Sequence, residues 1–340
     1  LFLYLNTNKR GITLDVQTAQ GQALFRRLVP TADVVIESFP PGTLERLGLG
    51  FAVLEEFRPG IILTSISSFG QTGPWRDYQA TDLIEYAASG LAAVNGTPDR
   101  EPLKEPGYQS FYQAGAYAFG GALTALCHRD VSGLGQHVDV SALEACASTF
   151  APRLTAYAYT GRPTARTRGG LPAGLVACKD GYVNLSVRSD ESFHDLWVFL
   201  GKPEVAEDPR FATALQRRRN ARELEEVLQP YLATHTMEEL FHDLGPMHIL
   251  VGMALDAPSL VKDQHLKERE FFQTVHHPIA GDVTMPGLPF KMMGTPGLAP
   301  APAPLLGQHN DEVFSALGLT GTDLEVLRQP GALREMAEGR

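Results

Sequence analysis

The residue types that most often carry chemistry are scattered along this chain. His276 and His277 are adjacent, so on a strand their side chains would point to opposite faces and could not share one metal ion. The three cysteines, Cys127, Cys146 and Cys178, are far apart and form no CxxC pair. This spacing disfavours a zinc site, and the small odd number fits a reducing compartment better than a disulfide framework. We therefore expect no metal centre.

The common short catalytic and nucleotide-binding motifs are also missing from the sequence. There is no P-loop, no GxSxG elbow and no HExxH pair. The run Gly133-Leu134-Gly135 precedes a predicted strand instead of opening a helix, so it is not a dinucleotide-binding motif. The motifs alone therefore predict only a soluble α/β protein with several glycine-rich loops.

Bulk composition limits the class of protein. The chain has 340 residues, of which 44% are hydrophobic and 20% charged, as in globular proteins of one large or two ordinary domains. A formal charge of −10 disfavours non-specific binding to nucleic acid. No apolar run approaches the roughly 20 residues of a membrane helix, and Leu1 to Leu5 lacks the basic flank of a signal peptide. We expect a cytoplasmic protein that binds neither membrane nor nucleic acid.

The first 70 residues alternate helical and strand patterns. The β-branched runs at 32–37 and 61–66 predict buried strands, with a helical pattern at 51–57 between them. Such alternation favours right-handed crossovers and a parallel sheet. Parallel sheets bind ligands beyond the carboxyl ends of their strands, which here are the loops at 38–42 and 67–74.

The following segment is predicted to be mainly helical. Helices are expected at 82–94, 112–128 and 142–159, with a strand at 136–141. The second helix is rich in alanine and glycine, which lets another backbone approach closely at some cost in helix propensity. We expect that helix to pack against a sheet or a second subunit.

Changes in composition suggest a second domain inserted in the first. A stretch of Gly, Pro, Thr and Arg follows residue 159, and a Pro/Ala/Gly-rich connector precedes the last segment. We predict a large Rossmann-like α/β domain and a smaller α+β domain. The predicted boundaries are 1–159 and 296–340 for the large domain, 160–171 for a linker, 172–286 for the small domain and 287–295 for the return linker.

Several blocks in fixed order give the chain a family resemblance. They are Leu5 to Asp15, Ala32 to Gly42, Arg46 to Gly48, Ser65 to Pro74, Ser132 to Ser141 and Gly307 to Asn310. Together they resemble the family III CoA-transferases, the group that includes carnitine CoA-transferases and 2-methylacyl-CoA racemases. The opening strand and first substrate loop of that family would lie before Leu1. The resemblance therefore implies an amino-terminally truncated chain.

The resemblance implies a pocket for coenzyme A. Carried over by position, its residues would be Leu14, Ser38, Phe39, Arg46 and Leu47. The Arg46 guanidinium could donate two hydrogen bonds to a phosphate, or it could be a solvated side chain on a short helix. Phe39 could stack on adenine or fill the core. CoA or an acyl-CoA would be a substrate, with no permanently bound cofactor.

Some positions depart from the family pattern. Ser38 stands where the family often has Asn, and Gln17 where some members have a lysine near the phosphates. Gly169 and Gly170 resemble the mobile glycine loop that closes over the active site, although they could form a simple turn in the linker.

The largest departure concerns catalysis. In the family an aspartate attacks the acyl-CoA thioester, and the position of that aspartate is occupied here by Phe111. A phenyl ring can neither attack nor leave. The nearest acid in sequence is Glu105, which could substitute only if its loop folded back. The catalytic residue is therefore unknown from the sequence.

Three functions follow from the resemblance. The chain could move CoA between carboxylic acids as an acyl-CoA-dependent transferase. It could be the non-catalytic subunit of a heteromeric CoA-transferase, or an acyl-CoA binding protein without turnover. The resemblance also implies an interlocked dimer, either of two identical chains or with a paralogous one.

Overall fold

The computed structural model describes residues 1–166, 173–187, 189–247 and 249–328. By its internal contacts the chain divides into two compact units. The first comprises the described residues of Leu1–Gly96, Glu101–Arg166 and Phe272–Arg340, and the second those of Thr97–Arg100 and Thr167–Phe271. This division places residues 272–286 in the first unit, whereas the small domain predicted from the sequence includes them. The predicted domain boundaries stay a prediction.

The helices and strands of the described residues are numbered in chain order. The helices are α1 Phe2–Leu5, α2 Ala19–Leu28, α3 Thr43–Arg46, α4 Phe51–Phe57, α5 Asp82–Ala88, α6 Leu91–Val94, α7 Gln109–Ser132, α8 Ala142–Thr149, α9 Ala151–Thr160, α10 Asp190–Phe199, α11 Pro203–Glu207, α12 Ala214–Arg219, α13 Ala221–Leu232, α14 Met237–Leu244, α15 Ala257–Lys262, α16 Gln264–Glu268, α17 Asn310–Ala316 and α18 Gly321–Arg328. The strands are β1 Val34–Glu37, β2 Ile62–Ser67, β3 Gln136–Ser141, β4 Ala173–Ala177, β5 Tyr182–Ser186, β6 Leu250–Met253, β7 Phe272–His277 and β8 Gly281–Pro286. Short 3₁₀ turns cover Val29–Thr31, Pro209–Phe211 and Gly245–Met247.

A three-stranded parallel sheet organises the first unit. The strand order is β1-β2-β3, with Val34 opposite Ile62 and Ile62 opposite Gln136. The first four residues of β2, Ile62 to Ser65, are buried, so the strand is covered on both faces, as is usual for a central parallel strand. The α/β fold class and the parallel sheet expected from the β-branched runs are therefore confirmed.

The core beside this sheet is made of aliphatic side chains from the helices and turns around β2. Its buried members are Val29, Leu44, Leu49, Leu54, Ile61 and Leu63. The carboxy-terminal helices return to this unit, because Phe314 and Leu324 pack against Leu24. The side chain of Asn310 makes a further contact between the two ends of the chain, because it accepts a hydrogen bond from the Thr13 backbone amide at 2.9 Å.

Helix α7 lies against the sheet, and one of its glycines permits the close approach. A Cβ atom on Gly121 would lie 2.9 Å from Cγ1 of Val138 on β3, which is shorter than a van der Waals contact. The small residues of this helix thus have the sheet-packing role expected from the sequence. The helix ends at Ser132, and the following residue, Gly133, adopts a left-handed conformation.

Two of the predicted helices are each broken into two. The pattern at 82–94 forms α5 and α6 because Gly90 between them has a φ of +91°. The pattern at 142–159 forms α8 and α9, and Pro152 stands in the first turn of α9. A proline lacks the amide hydrogen that a continuous helix would use, so the break falls just before it.

The second unit has an antiparallel sheet of order β4-β5-β6. Strands β4 and β5 form the hairpin that the sequence predicts around Lys179-Asp180-Gly181. Helices α10, α13 and α14 contribute to its apolar core, in which Phe193, Trp197 and Leu228 are almost fully buried. Across the part of the chain that the structure describes, no helix is both long and apolar enough to span a membrane.

Candidate functional site

A cavity of the first unit, which we call the main cavity, opens at the carboxyl ends of the parallel strands. Its volume is about 790 Å³. The lining residues come from the end of β2, from the segments after β1, β2 and β3, and from α5 and α7. They are Ser38, Phe39, Pro40, Pro41, Arg46, Ile66, Ser67, Ser68, Arg76, Asp77, Tyr78, Gln79, Ala80, Glu85, Phe111, Ala114, Gly115 and Ala142. The position is the one expected for a ligand of a parallel sheet.

The loop after β1 is shaped by local hydrogen bonds. The Glu37 carboxylate accepts a bond of 2.7 Å from the Phe39 amide, and the Thr43 hydroxyl donates to the Pro40 carbonyl at 2.6 Å. The loop turns into α3 at Gly42, whose φ of +74° suits a residue without a side chain. These contacts hold Phe39 and Arg46 on the wall of the cavity.

The loop after β2 is fixed by β3 and α8. The Asp139 carboxylate accepts hydrogen bonds from the Gln71 amide at 2.9 and 3.0 Å. The Ser68 carbonyl accepts one from the Leu143 amide at 3.0 Å. The segment that follows contributes Arg76, Asp77 and neighbouring residues to the cavity wall.

A buried carboxylate joins α5 to the start of α7. Oδ1 of Asp82 accepts hydrogen bonds from the Ser110 amide at 2.9 Å and its hydroxyl at 2.8 Å, while Oδ2 lies 2.7 Å from Nζ of Lys104. Burial raises the pKa of Asp82, but the hydrogen bonds from Lys104 and Ser110 outweigh it, and the net pKa lies below the ordinary value of 3.8. The carboxylate is thus held ionised between the two helices.

This network also positions two further cavity residues, Glu85 and Phe111. Glu85 lies one helical turn after Asp82, and Phe111 follows Ser110 directly. The Phe111 ring is half exposed and stacks on Tyr108, with centroids 6.0 Å apart and planes inclined by 2°. Phe111 and Glu85 line the same cavity.

Glu85 is an unusual acid for such a place. Its side chain is almost fully buried, and no described residue forms a hydrogen bond with its buried Oε2 atom. The charge of Glu85 also acts on the buried thiol of Cys146. Burial, and then the negative charges of Glu85, Asp82 and Glu105, raise the pKa of its thiol to about 11. A buried carboxylate without a partner is costly in free energy and marks a candidate functional group.

Comparison with known proteins identifies the chain's relatives. Residues 1–310 match CoA-transferase family III. Succinyl-CoA–D-citramalate CoA-transferase of Chloroflexus aurantiacus is 36% identical over 95% of this chain and 82% of its own length. The succinyl-CoA–L-malate CoA-transferase beta subunit of the same organism is 30% identical over 94% of this chain and 82% of its own. A crystal structure of a CAIB/BAIF family protein from Brucella suis superposes with a TM-score of 0.84 at 28% identity, covering 93% of this chain and 83% of that one.

The chain belongs to CoA-transferase family III. This confirms the resemblance drawn from the ordered sequence blocks. The substitution of the family's aspartate by Phe111 and the amino-terminal truncation stay predictions. Within the described residues, no group of three or more His, Cys, Asp or Glu side chains is placed to bind a metal ion.

The CoA-binding residues implied by the family are brought together only in part. Ser38, Phe39 and Arg46 line the main cavity. Phe39, Arg46 and Leu47 line a second cavity of about 390 Å³, together with Val16, Gln17 and Thr43. Leu14 lines neither of these two cavities, because its side chain packs against the cluster of Leu24, Phe314 and Leu324. Gly169 and Gly170 lie outside the described residues.

Two of the cavity residues, Glu85 and Arg76, were not predicted from the sequence. Glu85 is not part of any recognisable sequence motif. Only the packing of α5 beside α7 brings it to the cavity wall that contains Phe111. Arg76 follows the Ser65 to Pro74 block and belongs to none of the sequence blocks that resemble the family. Glu105, the acid nearest to Phe111 in sequence, is exposed and does not line the cavity.

Proposed function

We propose that this chain binds acyl-CoA thioesters in the main cavity and transfers CoA between carboxylic acids. One observation carries the proposal. A single cavity of a family III chain combines the guanidinium groups of Arg46 and Arg76 with the buried carboxylate of Glu85. Guanidinium groups suit the phosphates of CoA, and apolar Phe39 and Phe111 suit its adenine ring and the acyl chain.

Glu85 is the acid best placed to support transfer. The covalent chemistry implied by the family requires a carboxylate at the thioester, and Phe111 supplies none. Among the lining residues the carboxylates are Asp77 and Glu85. Asp77 is exposed beside Arg76, whereas Glu85 is buried on the same cavity as Phe111. Transfer by this chain alone would therefore depend on Glu85.

A second candidate function is binding of acyl-CoA without turnover, as one subunit of a heteromeric transferase. The presence of Phe111 at the predicted nucleophile position favours it. The related L-malate enzyme of Chloroflexus aurantiacus has a beta subunit of similar sequence. In this case a paralogous chain would supply the aspartate.

One experiment separates the two candidates. The purified chain is mixed with an acyl-CoA and a second carboxylic acid, and the new acyl-CoA is followed by chromatography. Transfer that is lost in Glu85→Gln but kept in the matched control Glu105→Gln would support the first candidate. Tight acyl-CoA binding without transfer, with activity gained by Phe111→Asp or by adding a paralogue, would support the second. A chain that does not bind acyl-CoA would contradict both.

The assembly and location are also proposals. An interlocked dimer, with an identical or a paralogous chain, fits the apolar side chains that α7 and α9 expose. These include Tyr117, Phe119, Leu123, Tyr157 and Tyr159. Sedimentation at micromolar concentration would show a monomer if this proposal were wrong. A cytoplasmic location fits the sparse cysteines.

A further inference from the structure

We infer that Arg46 and Arg76 form an arginine clamp, which holds one phosphate group of the CoA across Gly42. Arg46 was expected to contact phosphate from the family resemblance, whereas Arg76 has no assigned role. The inference rests on the proposed function, because it takes the ligand of the cavity to be CoA.

The geometry comes from two loops that converge on Gly42. A Cβ atom built on Gly42 would lie 2.7 Å from Nη2 of Arg76 and 3.5 Å from Nη1 of Arg46. The two nitrogens are therefore separated by no more than the sum of these two distances, about 6 Å. Arg46 is supplied by α3 after β1, and Arg76 by the segment after β2. Both side chains line the main cavity.

The protein leaves the two guanidinium groups poorly neutralised. Arg46 donates to the Thr43 hydroxyl at 2.8 Å and weakly to the Pro41 carbonyl at 3.4 Å, and among the described residues no carboxylate forms an ion pair with it. Nε of Arg76 is buried and has no hydrogen-bond partner among the described residues. Its nearest acid is the exposed Asp77, whose Oδ1 lies 3.8 Å away, beyond hydrogen-bond range.

Electrostatics makes this arrangement a binding site for an anion. The two positively charged guanidinium groups repel each other. An anion bound between them is attracted to both groups, and these attractions offset the repulsion. Guanidinium groups donate paired hydrogen bonds that match the oxygens of a phosphate. A phosphate with several oxygens can accept bonds from both groups at once. The neighbouring cavity residues Ser38 and Phe39 would contact the rest of the nucleotide.

Gly42 keeps the two arginines together. Its φ of +74° is a conformation that other residues adopt only with strain, and a side chain there would push against Nη2 of Arg76. The Pro40-Pro41-Gly42 turn thus has a second purpose besides starting α3. It leaves room for a guanidinium from the neighbouring loop.

The clamp is tested by calorimetric titration of Arg76→Ala, Arg76→Lys and wild type with CoA, dephospho-CoA and pantetheine. Arg222→Ala is the matched control, because Arg222 is an exposed arginine of the second unit. We expect Arg76→Ala to weaken CoA binding at least about tenfold and to leave pantetheine binding unchanged. Arg76→Lys should be intermediate, since lysine keeps the charge without the paired donors. Arg222→Ala should bind CoA like wild type.

The three ligands separate the possible outcomes. If Arg76→Ala weakens dephospho-CoA as much as CoA, the clamp holds the diphosphate. If dephospho-CoA is unaffected, it holds the 3′-phosphate. Equal CoA affinity of Arg76→Ala and wild type, or an equal loss for pantetheine, would overturn the clamp and leave the proposed function standing. Failure of the wild type to bind CoA would overturn the proposed function itself and the clamp with it.

Discussion

Nζ of Lys104 lies 2.7 Å from Oδ2 of Asp82, and this contact ties the loop before α7 to the first turn of α5. Ser110 also donates two hydrogen bonds to the other oxygen of the Asp82 carboxylate. Because Phe111 and Glu85 each lie close in sequence to this network, it fixes the wall of the cavity. The network should therefore contribute to stability and not only to shape.

Asp82→Asn is predicted to lower the free energy of unfolding by about 2–3 kcal/mol at neutral pH, because it leaves Lys104 without its buried partner. The lowered pKa of Asp82 means that its stabilisation is present above the ordinary value of 3.8 and is lost as pH falls through the lowered pKa. Urea unfolding of both proteins from pH 7 downwards measures this. Asp130→Asn, at an exposed position of α7, is the control. A difference that stays constant below pH 4 would contradict the prediction.

Adjacent glycines of α7 should respond oppositely to alanine. A Cβ on Gly120 would meet no atom within 4 Å, so Gly120→Ala should raise the free energy of unfolding by about 0.5–1 kcal/mol. A Cβ on Gly121 would lie 2.9 Å from Val138, and Gly121→Ala should lower it by about 1 kcal/mol. Chemical unfolding of the two variants checks both signs. Equal effects would mean that α7 does not approach β3 as closely as described.

The cysteines should differ sharply in reactivity. Cys146 is buried and its thiol has a pKa of about 11, so iodoacetamide at pH 8 should leave it unmodified in the folded chain. Cys127 is exposed and should be alkylated under the same conditions. Peptide mass spectrometry before and after denaturation distinguishes the two sites. Alkylation of folded Cys146 at a rate near that of Cys127 would contradict the burial of Cys146 and the raised pKa of its thiol.

Local patterns predicted the strands and loops better than they predicted the site. The β-branched runs around Val34 and Ile62 identified two strands of the parallel sheet, and the carboxyl-end rule located the loops that hold Ser38 and Ser68. Both rules depend on residues close in sequence. Glu85 escaped prediction because only the packing of α5 beside α7 brings it near Phe111.

The position of Leu14 outside the two cavities has a related cause. The family resemblance assigned it to the CoA pocket, yet its side chain is part of the packing around Phe314, which arrives from the far end of the chain. Arg76 reaches the cavity because the segments after β1 and β2 converge at Gly42. Contacts between segments so distant in sequence leave no periodic signal in either one.

The most direct test of the central claim, that the main cavity binds CoA, is calorimetric titration of CoA into wild type and Arg46→Ala. Arg46 lines both cavities and has no acidic partner among the described residues. We predict that the wild type binds CoA and that Arg46→Ala weakens binding by about 1–3 kcal/mol, the value of a charge-assisted phosphate bond. Arg222→Ala should leave the affinity unchanged. A wild type that does not bind CoA, or an Arg46→Ala variant that binds it equally well, would contradict the account.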